Sequence, residues 1–429
     1  MTKIRNESSE SAASILIGII LLLAGAMAVF YAAYKVSYVS VDYGIHVDIA
    51  RKLDLTDPVR LFREHTEPVW HLLVRAVMKA STYIKADGIS AERAAGITSG
   101  GLCAVTYLLT AHFLYRFGNK APAGKTAGLS VPGAALSALI LNLSSAVYVP
   151  WFNDKPYLGQ GSPNPWHNPT TLMVRPVGLL IFLLVMSECE RSRRAGFRKG
   201  SGLKIWKGIL IAILLLLSNL SKPSFVQIFY PGIFVLMLLW LVVYRFRNFL
   251  LGMQLLLCCL PSVALMGMQF LTAFYSKTNS NSAGVVIAPF KIAGLYTDNI
   301  AISTFLVLAF PILIALCTMI RRSFDWTDAF AWIMLLVGMA EKFLLAEGGS
   351  RMAHGNFNWG YILALYFVWF ISMRDYLLWK GALRTESDQG GPARSLSTAG
   401  LILCSLVLLA HLISGIYYLY YLIVLGNGI

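Results

Sequence analysis

Runs of about 20 apolar residues recur along almost the whole of this chain, the length an α-helix needs to cross a bilayer. The first, residues 14–34 (SILIGIILLLAGAMAVFYAAY), has no charge and no small-residue cleavage pattern, so it reads as a retained span rather than a signal peptide. Hydrocarbon offers no partner to backbone N–H and C=O groups. Only helices or closed barrels therefore cross it, and runs this long are helices. Of 429 residues, 57% are hydrophobic and 13% charged, against about 25% charged in soluble domains. The expectation is an all-α, polytopic integral membrane protein with one domain over residues 1–429. Its spans fall near 14–34, 93–115, 131–149, 170–187, 206–220, 225–244, 249–275, 299–320, 326–346, 356–373 and 398–425, about eleven in all.

Charge placement sets the topology. The net charge is +15, but the lysines and arginines sit in short loops beside apolar runs, as positive-inside loops do. No basic face interleaved with aromatics occurs, which excludes nucleic acid as a partner. The ambiguous stretch is 69–84, VWHLLVRAVMKASTYI, where His71, Arg75 and Lys79 form one polar stripe opposite Val69, Leu72, Leu73, Ala76 and Val77. A helix lying in the interface plane has that pattern. Spanning would bury two charges at about 2.5–3.5 kcal/mol each, and would also put the basic loop at 191–207 outside. With 69–84 in the plane, every basic loop falls inside. The amino-terminal tail (1–13) is then cytoplasmic, residues 35–92 form a long first outer loop with interfacial helices, 385–395 is a polar inner linker, and the carboxyl terminus lies outside. The six cysteines show no metal-ligand spacing and read as small buried hydrophobes.

Chemistry-bearing residues gather in the outer loops. In VDYGIHVDIA, Asp42 and His46 are four apart and so share a helix face. Asp42 suits two roles: N-cap of a helix over 43–53, or a general base with His46 orienting it or binding an anion. The second outer loop, PWFNDKPYLGQGSPNPWHNP, mixes aromatics with amides, and Trp166, His167 and Asn168 suit a carbohydrate-facing surface. Lys222, the cation of the turn SNLSKPSF, serves as a snorkelling anchor or as a contact for a lipid phosphate. In EGGSRMAHGNFNW, Arg351 and His354 are spaced to grip a phosphate. Glu341, inside an apolar run, is an ionisable group at membrane depth and thus a functional candidate.

The layout resembles the GT-C superfamily of polytopic glycosyltransferases over about residues 10–190. A single span precedes a long outer loop with an early acid (Asp42 in SVDYGIH), then an in-plane helix led by EPVWHLL. The resemblance implies an outer-face enzyme that moves a sugar from a polyprenyl-phosphate carrier to an envelope glycan or lipid acceptor, embedded among membrane lipids. Asp42 would be the base. Lys222, Arg351 and His354 would stabilise the departing phosphate. Trp166, His167 and Asn168 would hold sugar or acceptor. Tyr43 follows Asp42 where some members carry an acidic pair, so a divalent metal remains open as a cofactor. The alternatives are an envelope polysaccharide polymerase or ligase, which would concentrate function in a later outer loop, and a lipid-linked-sugar flippase or transporter, which would break or charge several spans at mid-membrane. The expected location is the cell membrane, as in a bacterial cytoplasmic membrane.

Overall fold

The computed structural model describes residues 10–57, 60–62, 65–84, 86–118, 129–153, 156, 161–166, 168–198, 200–275, 284–385 and 392–426. Helices dominate. In chain order they are α1 (Ala12–Val36), α2 (Val41–Lys52), α3 (Val69–Ser81), α4 (Ala91–Gly118), α5 (Val131–Leu143), α6 (Pro169–Arg194), α7 (Ile205–Ser221), α8 (Ser224–Val243), α9 (Phe249–Tyr275), the short α10 (Lys291–Gly294), α11 (Ile300–Ile320), α12 (Trp326–Leu344), α13 (Asn358–Thr385) and α14 (Pro392–Ile423). A two-stranded antiparallel pairing, β1 (Val285–Ile287) with β2 (Leu345–Glu347), joins the loops before α10 and after α12.

Among the described residues, eight stretches are long and apolar enough to cross a membrane: α1, α4, α6, α8, α9, α11, α14 and the 349–383 stretch containing α13. The coarser expectation, a multi-span helical membrane protein, therefore holds. The other three expected spans are helical too, but α5 and α7 are short, and α12 carries Asp328, Glu341 and Lys342. The helices differ in what they face. Helix α1 presents Ile15, Leu16, Ile19, Ile20 and Leu23 outward, which suits contact with lipid. Helices α6 and α13 are buried almost throughout and form the centre of the bundle. Phe182 of α6 stacks on Phe367 of α13 and on Phe330 of α12, at 5.2 and 5.3 Å between ring centroids.

Three expectations need correction. Helix α2 starts at Val41 with Ser40 as N-cap, so Asp42 is not the cap but lies in the first turn, where its charge still complements the helix dipole. Helix α3 turns Trp70, His71 and Val74 inward, so His71 leaves the wet stripe and joins the protein interior. Helix α5 stops at Leu143 rather than near 149. At 1.5 Å per residue it is only about 20 Å long, and the chain continues extended from Ser144.

That extended segment is tied to two neighbouring helices. Ser145 N–H donates to the His411 carbonyl (3.1 Å) and Val147 N–H to the Leu306 carbonyl (3.0 Å). Tyr148 N–H donates to Ser414 Oγ (3.1 Å). His411 Nδ1–H returns a bond to the Ser145 carbonyl (2.6 Å). Irregular backbone survives inside a membrane protein only when so satisfied. Of the expected linker, 386–391 lies outside the described residues, while α14 already begins at Pro392.

Close approach makes Gly415 of α14 indispensable, since a Cβ there would collide with the Leu143 carbonyl oxygen. Gly267 of α9 faces open space. Gly415→Ala is expected to cost about 1–3 kcal/mol through overpacking, read as a lower melting temperature in detergent. Gly267→Ala is expected to be neutral or stabilising by up to about 1 kcal/mol.

Candidate functional site

At one end of the bundle, α2, α3, the start of α6, the α7–α8 turn and the start of α13 converge. The organising residue is Asn168. The pair Asn168–Pro169 starts α6 as an N-cap followed by proline at the first helical position. Asn168 Oδ1 accepts from the Thr170 and Thr171 backbone N–H groups, both at 3.1 Å, and from the Thr170 hydroxyl at 2.7 Å. With its oxygen so occupied, the amide nitrogen faces the other way and donates to Asp42 Oδ2 at 3.0 Å. One cap thus fixes the orientation of a carboxylate 126 residues earlier.

Lys222, the residue that ends α7, is buried beside this cap. Its ammonium donates to Thr170 Oγ1 (3.0 Å) and more weakly to Asn168 Oδ1 (3.4 Å). It also sits 4.7 Å from the ring centroid of Trp359, a cation–π contact that strengthens on desolvation to about 2 kcal/mol or more. Burial pulls the Lys222 ammonium below its ordinary value, against the opposing charges of Glu67 and Asp42. Glu67, just before α3, shows the converse. Burial raises its carboxyl, while Lys222 and Arg351 act to lower it. The site therefore combines two carboxylates with a lysine and an arginine.

Beside it runs a histidine pair. His46 Nδ1 and His71 Nε2 are 2.9 Å apart, and His71 Nδ1 lies 3.2 Å from the Glu67 carbonyl oxygen. The His65 ring is 6.4 Å from that of His71. Burial lowers His46 to about 3, with His71 and Lys222 adding repulsion. Burial likewise lowers His71 to about 4, partly offset by its bond to Glu67.

The other expected residues divide. Arg351 pairs with Glu347 at 3.0 Å, and Asn356 donates to the same carboxylate oxygen at 3.0 Å. Arg351 thus reaches the site through its effect on Glu67, while its guanidinium is held at the rim. His354 is exposed and makes no contact with the cluster among the described residues. Glu341 packs against Gly360, next to Trp359, and its Oε2 is buried without a hydrogen-bond partner. Trp166 is wholly buried, so it offers no open platform for a sugar. His167 lies outside the described residues. Sequence reasoning missed Glu67, Thr170 and Trp359. It also missed Arg175, which is buried in α6, donates to the Asn164 carbonyl at 2.6 Å and stacks on Tyr366 at 4.9 Å. Among the described residues no three His, Cys, Asp or Glu side chains converge as a metal site requires.

Fold and site define a multi-span helical membrane protein with a polar, charge-bearing cluster at one end. No protein-family model matches this chain, and comparison with curated proteins finds no match.

The neutral imidazoles make stability acid-sensitive. The unfolded chain takes up these protons near pH 6.5, whereas folded His46 and His71 resist them down to about 3 and about 4. Stability is therefore highest above pH 6.5 and falls as pH drops through that window, by at most about 1.4 kcal/mol per pH unit for each ring. Unfolding in detergent from pH 7.5 to 4.5 is expected to show this decline, and His46→Gln is expected to flatten it. An unchanged slope in the variant contradicts the assignment.

Proposed function

We propose that this protein is a membrane glycosyltransferase. It moves a sugar from a polyprenyl-phosphate carrier to a hydroxyl of an envelope glycan or lipid acceptor, at the outer face of a cell membrane. The observation that carries this reading is the seam Asp42–Asn168–Lys222, which sets an oriented carboxylate beside a buried ammonium. Such a transfer needs both: an anionic group where the acceptor loses its proton, and fixed positive charge where the phosphate leaves. The carrier is a phosphodiester monoanion that departs as a phosphomonoester dianion, so charge accumulates on the phosphate. Lys222 and Arg351 meet that charge. Asp42 and His46, on one face of α2, carry the proton chemistry.

The lipid tail lies between apolar helix faces, which accounts for an active end built into a membrane bundle. Glu341, which packs against Gly360 next to Trp359, is the carboxylate we assign to the sugar. Asn168 orients Asp42. The topology that fits this chemistry has about eleven crossings, a cytoplasmic amino terminus and the Asp42 end outside. A divalent metal is not required by this scheme.

One observation favours a second reading. Helix α5 stops at Leu143 and gives way to an extended segment bonded to α11 and α14, irregular backbone of a kind that transporters also use, so a lipid-linked-sugar flippase is the alternative. A single assay separates the two. Purified protein in liposomes, given short-chain polyprenyl-phosphate sugars and acceptor glycans, is expected to form a new glycosidic bond. Asp42→Asn is expected to lower that rate at least 100-fold, in line with the roughly 10²–10⁴-fold effect of acid–base groups. Movement of the carrier across the bilayer with no bond formed would instead select the flippase.

A further inference from the structure

The two histidines beside Asp42 are wired in a way that leaves each ring one tautomer. The Glu67 carbonyl oxygen can only accept, so at 3.2 Å it takes the proton of His71 Nδ1. Neutral His71 is then bare at Nε2 and must accept. Its partner at 2.9 Å, His46 Nδ1, therefore donates. Neutral His46 is in turn bare at Nε2, and its one side-chain hydrogen bond among the described residues is the one through Nδ1. The result is a chain of fixed direction, carbonyl to ring to ring, that ends in an unused lone pair. That ring shares a helix face with Asp42 and lies within electrostatic reach of Lys222.

We propose that His46 Nε2 takes the proton of the acceptor hydroxyl, and that Asp42, held by Asn168, stabilises the imidazolium that forms. The inference rests on the transferase reading and names the proton acceptor within it. It also excludes His46 from phosphate binding, because a bare nitrogen cannot donate to an anion. His71 is a positioning residue: it fixes which nitrogen of His46 is bare.

The step balances. The hydroxyl proton goes to His46 Nε2, and the freed oxygen lone pair forms the bond to the anomeric carbon. The bond from that carbon to the phosphate oxygen breaks, and its electron pair leaves with the polyprenyl phosphate. His46 later returns its proton to water. The titratable groups that act on the ring are His71 of α3 and Lys222 of the α7–α8 turn, and Asp42 lies one turn earlier on its own helix. An ordinary imidazole has a pKa near 6.5, whereas burial and the Lys222 charge hold free His46 neutral and weakly basic. A substrate phosphate seated on Lys222 offsets that charge's share of the depression, so donor binding raises the ring's basicity while burial, the larger cause, still opposes it.

The test uses the full-length protein in liposomes with a polyprenyl-phosphate sugar and an acceptor glycan, with histidine ¹⁵N NMR on the same preparation. His46→Gln is expected to lower kcat about 10²–10⁴-fold with the donor KM within about threefold of wild type. His71→Phe, which removes the acceptor for His46 Nδ1–H, is expected to lower kcat and move the acid limb of the pH–rate profile. His71→Gln keeps an acceptor there and is expected to restore much of the rate. The NMR spectrum is expected to show His46 protonated at Nδ1 and bare at Nε2 at pH 7. A His46→Gln variant with near-wild-type kcat beside an inactive Asp42→Asn variant would overturn the inference and leave the transferase reading standing. A His46 ring protonated at Nε2 would overturn it whatever the activity. Absence of transfer by wild type, with the expected tautomer present, would instead remove the transferase reading and the proposed role with it.

Discussion

A buried ammonium needs partners, and the way Lys222 finds them ties this molecule together at one end of the bundle. A charge removed from water costs several kcal/mol unless dipoles, opposite charges or aromatic faces replace the solvent. Thr170 and Asn168 at the start of α6 and Trp359 at the start of α13 do so, with Asp42 and Glu67 acting through space. Those contacts draw helices distant in sequence to one point. Asn168 is the hinge of the arrangement, since the same amide that caps α6 also holds Asp42. Helix formation and carboxylate placement are one event there.

The opposite end of the bundle shows what charge does when it only has to hold helices. Arg374 of α13 bonds Asp328 at 2.6 Å and Asp375 at 2.7 Å, with Asp325, the N-cap of α12, at 3.3 Å. Glu188 of α6 pairs with Arg191 and Lys207. These ions neutralise one another within tight groups, as structural pairs do. The Lys222 end is different in kind. There Asn168 donates to Asp42, Lys222 bonds Thr170 and lies over the Trp359 ring, and His46 meets His71.

The broad architecture was legible because bilayer thickness imposes a length on every span and apolar runs announce it. Asp42, Asn168 and Lys222 were legible as polar residues set between apolar runs. Their union was not. Asn168 lies 54 residues from Lys222 and 126 from Asp42, and no local pattern records that the two segments meet. The Asn-Pro step did carry a helix-start signal that would have marked Asn168 as a cap. His71 was misread because the periodicity of α3 specifies which residues share a face but not whether that face meets water or protein. Glu67 and Trp359 stood at helix starts, where an acid or an aromatic is ordinary, so nothing in one sequence separated them from caps and interfacial anchors. His354, singled out by its spacing from Arg351, is exposed.

The central claim is that the Lys222 seam receives the phosphate of a lipid carrier. The most direct measurement is equilibrium binding of a short-chain polyprenyl phosphate to the purified protein, wild type against Lys222→Met, which keeps the buried stem and removes the charge. The account predicts at least a tenfold weaker affinity in the variant, about 1.4 kcal/mol, with the fold intact by melting temperature. Equal affinities in two equally stable proteins would contradict it.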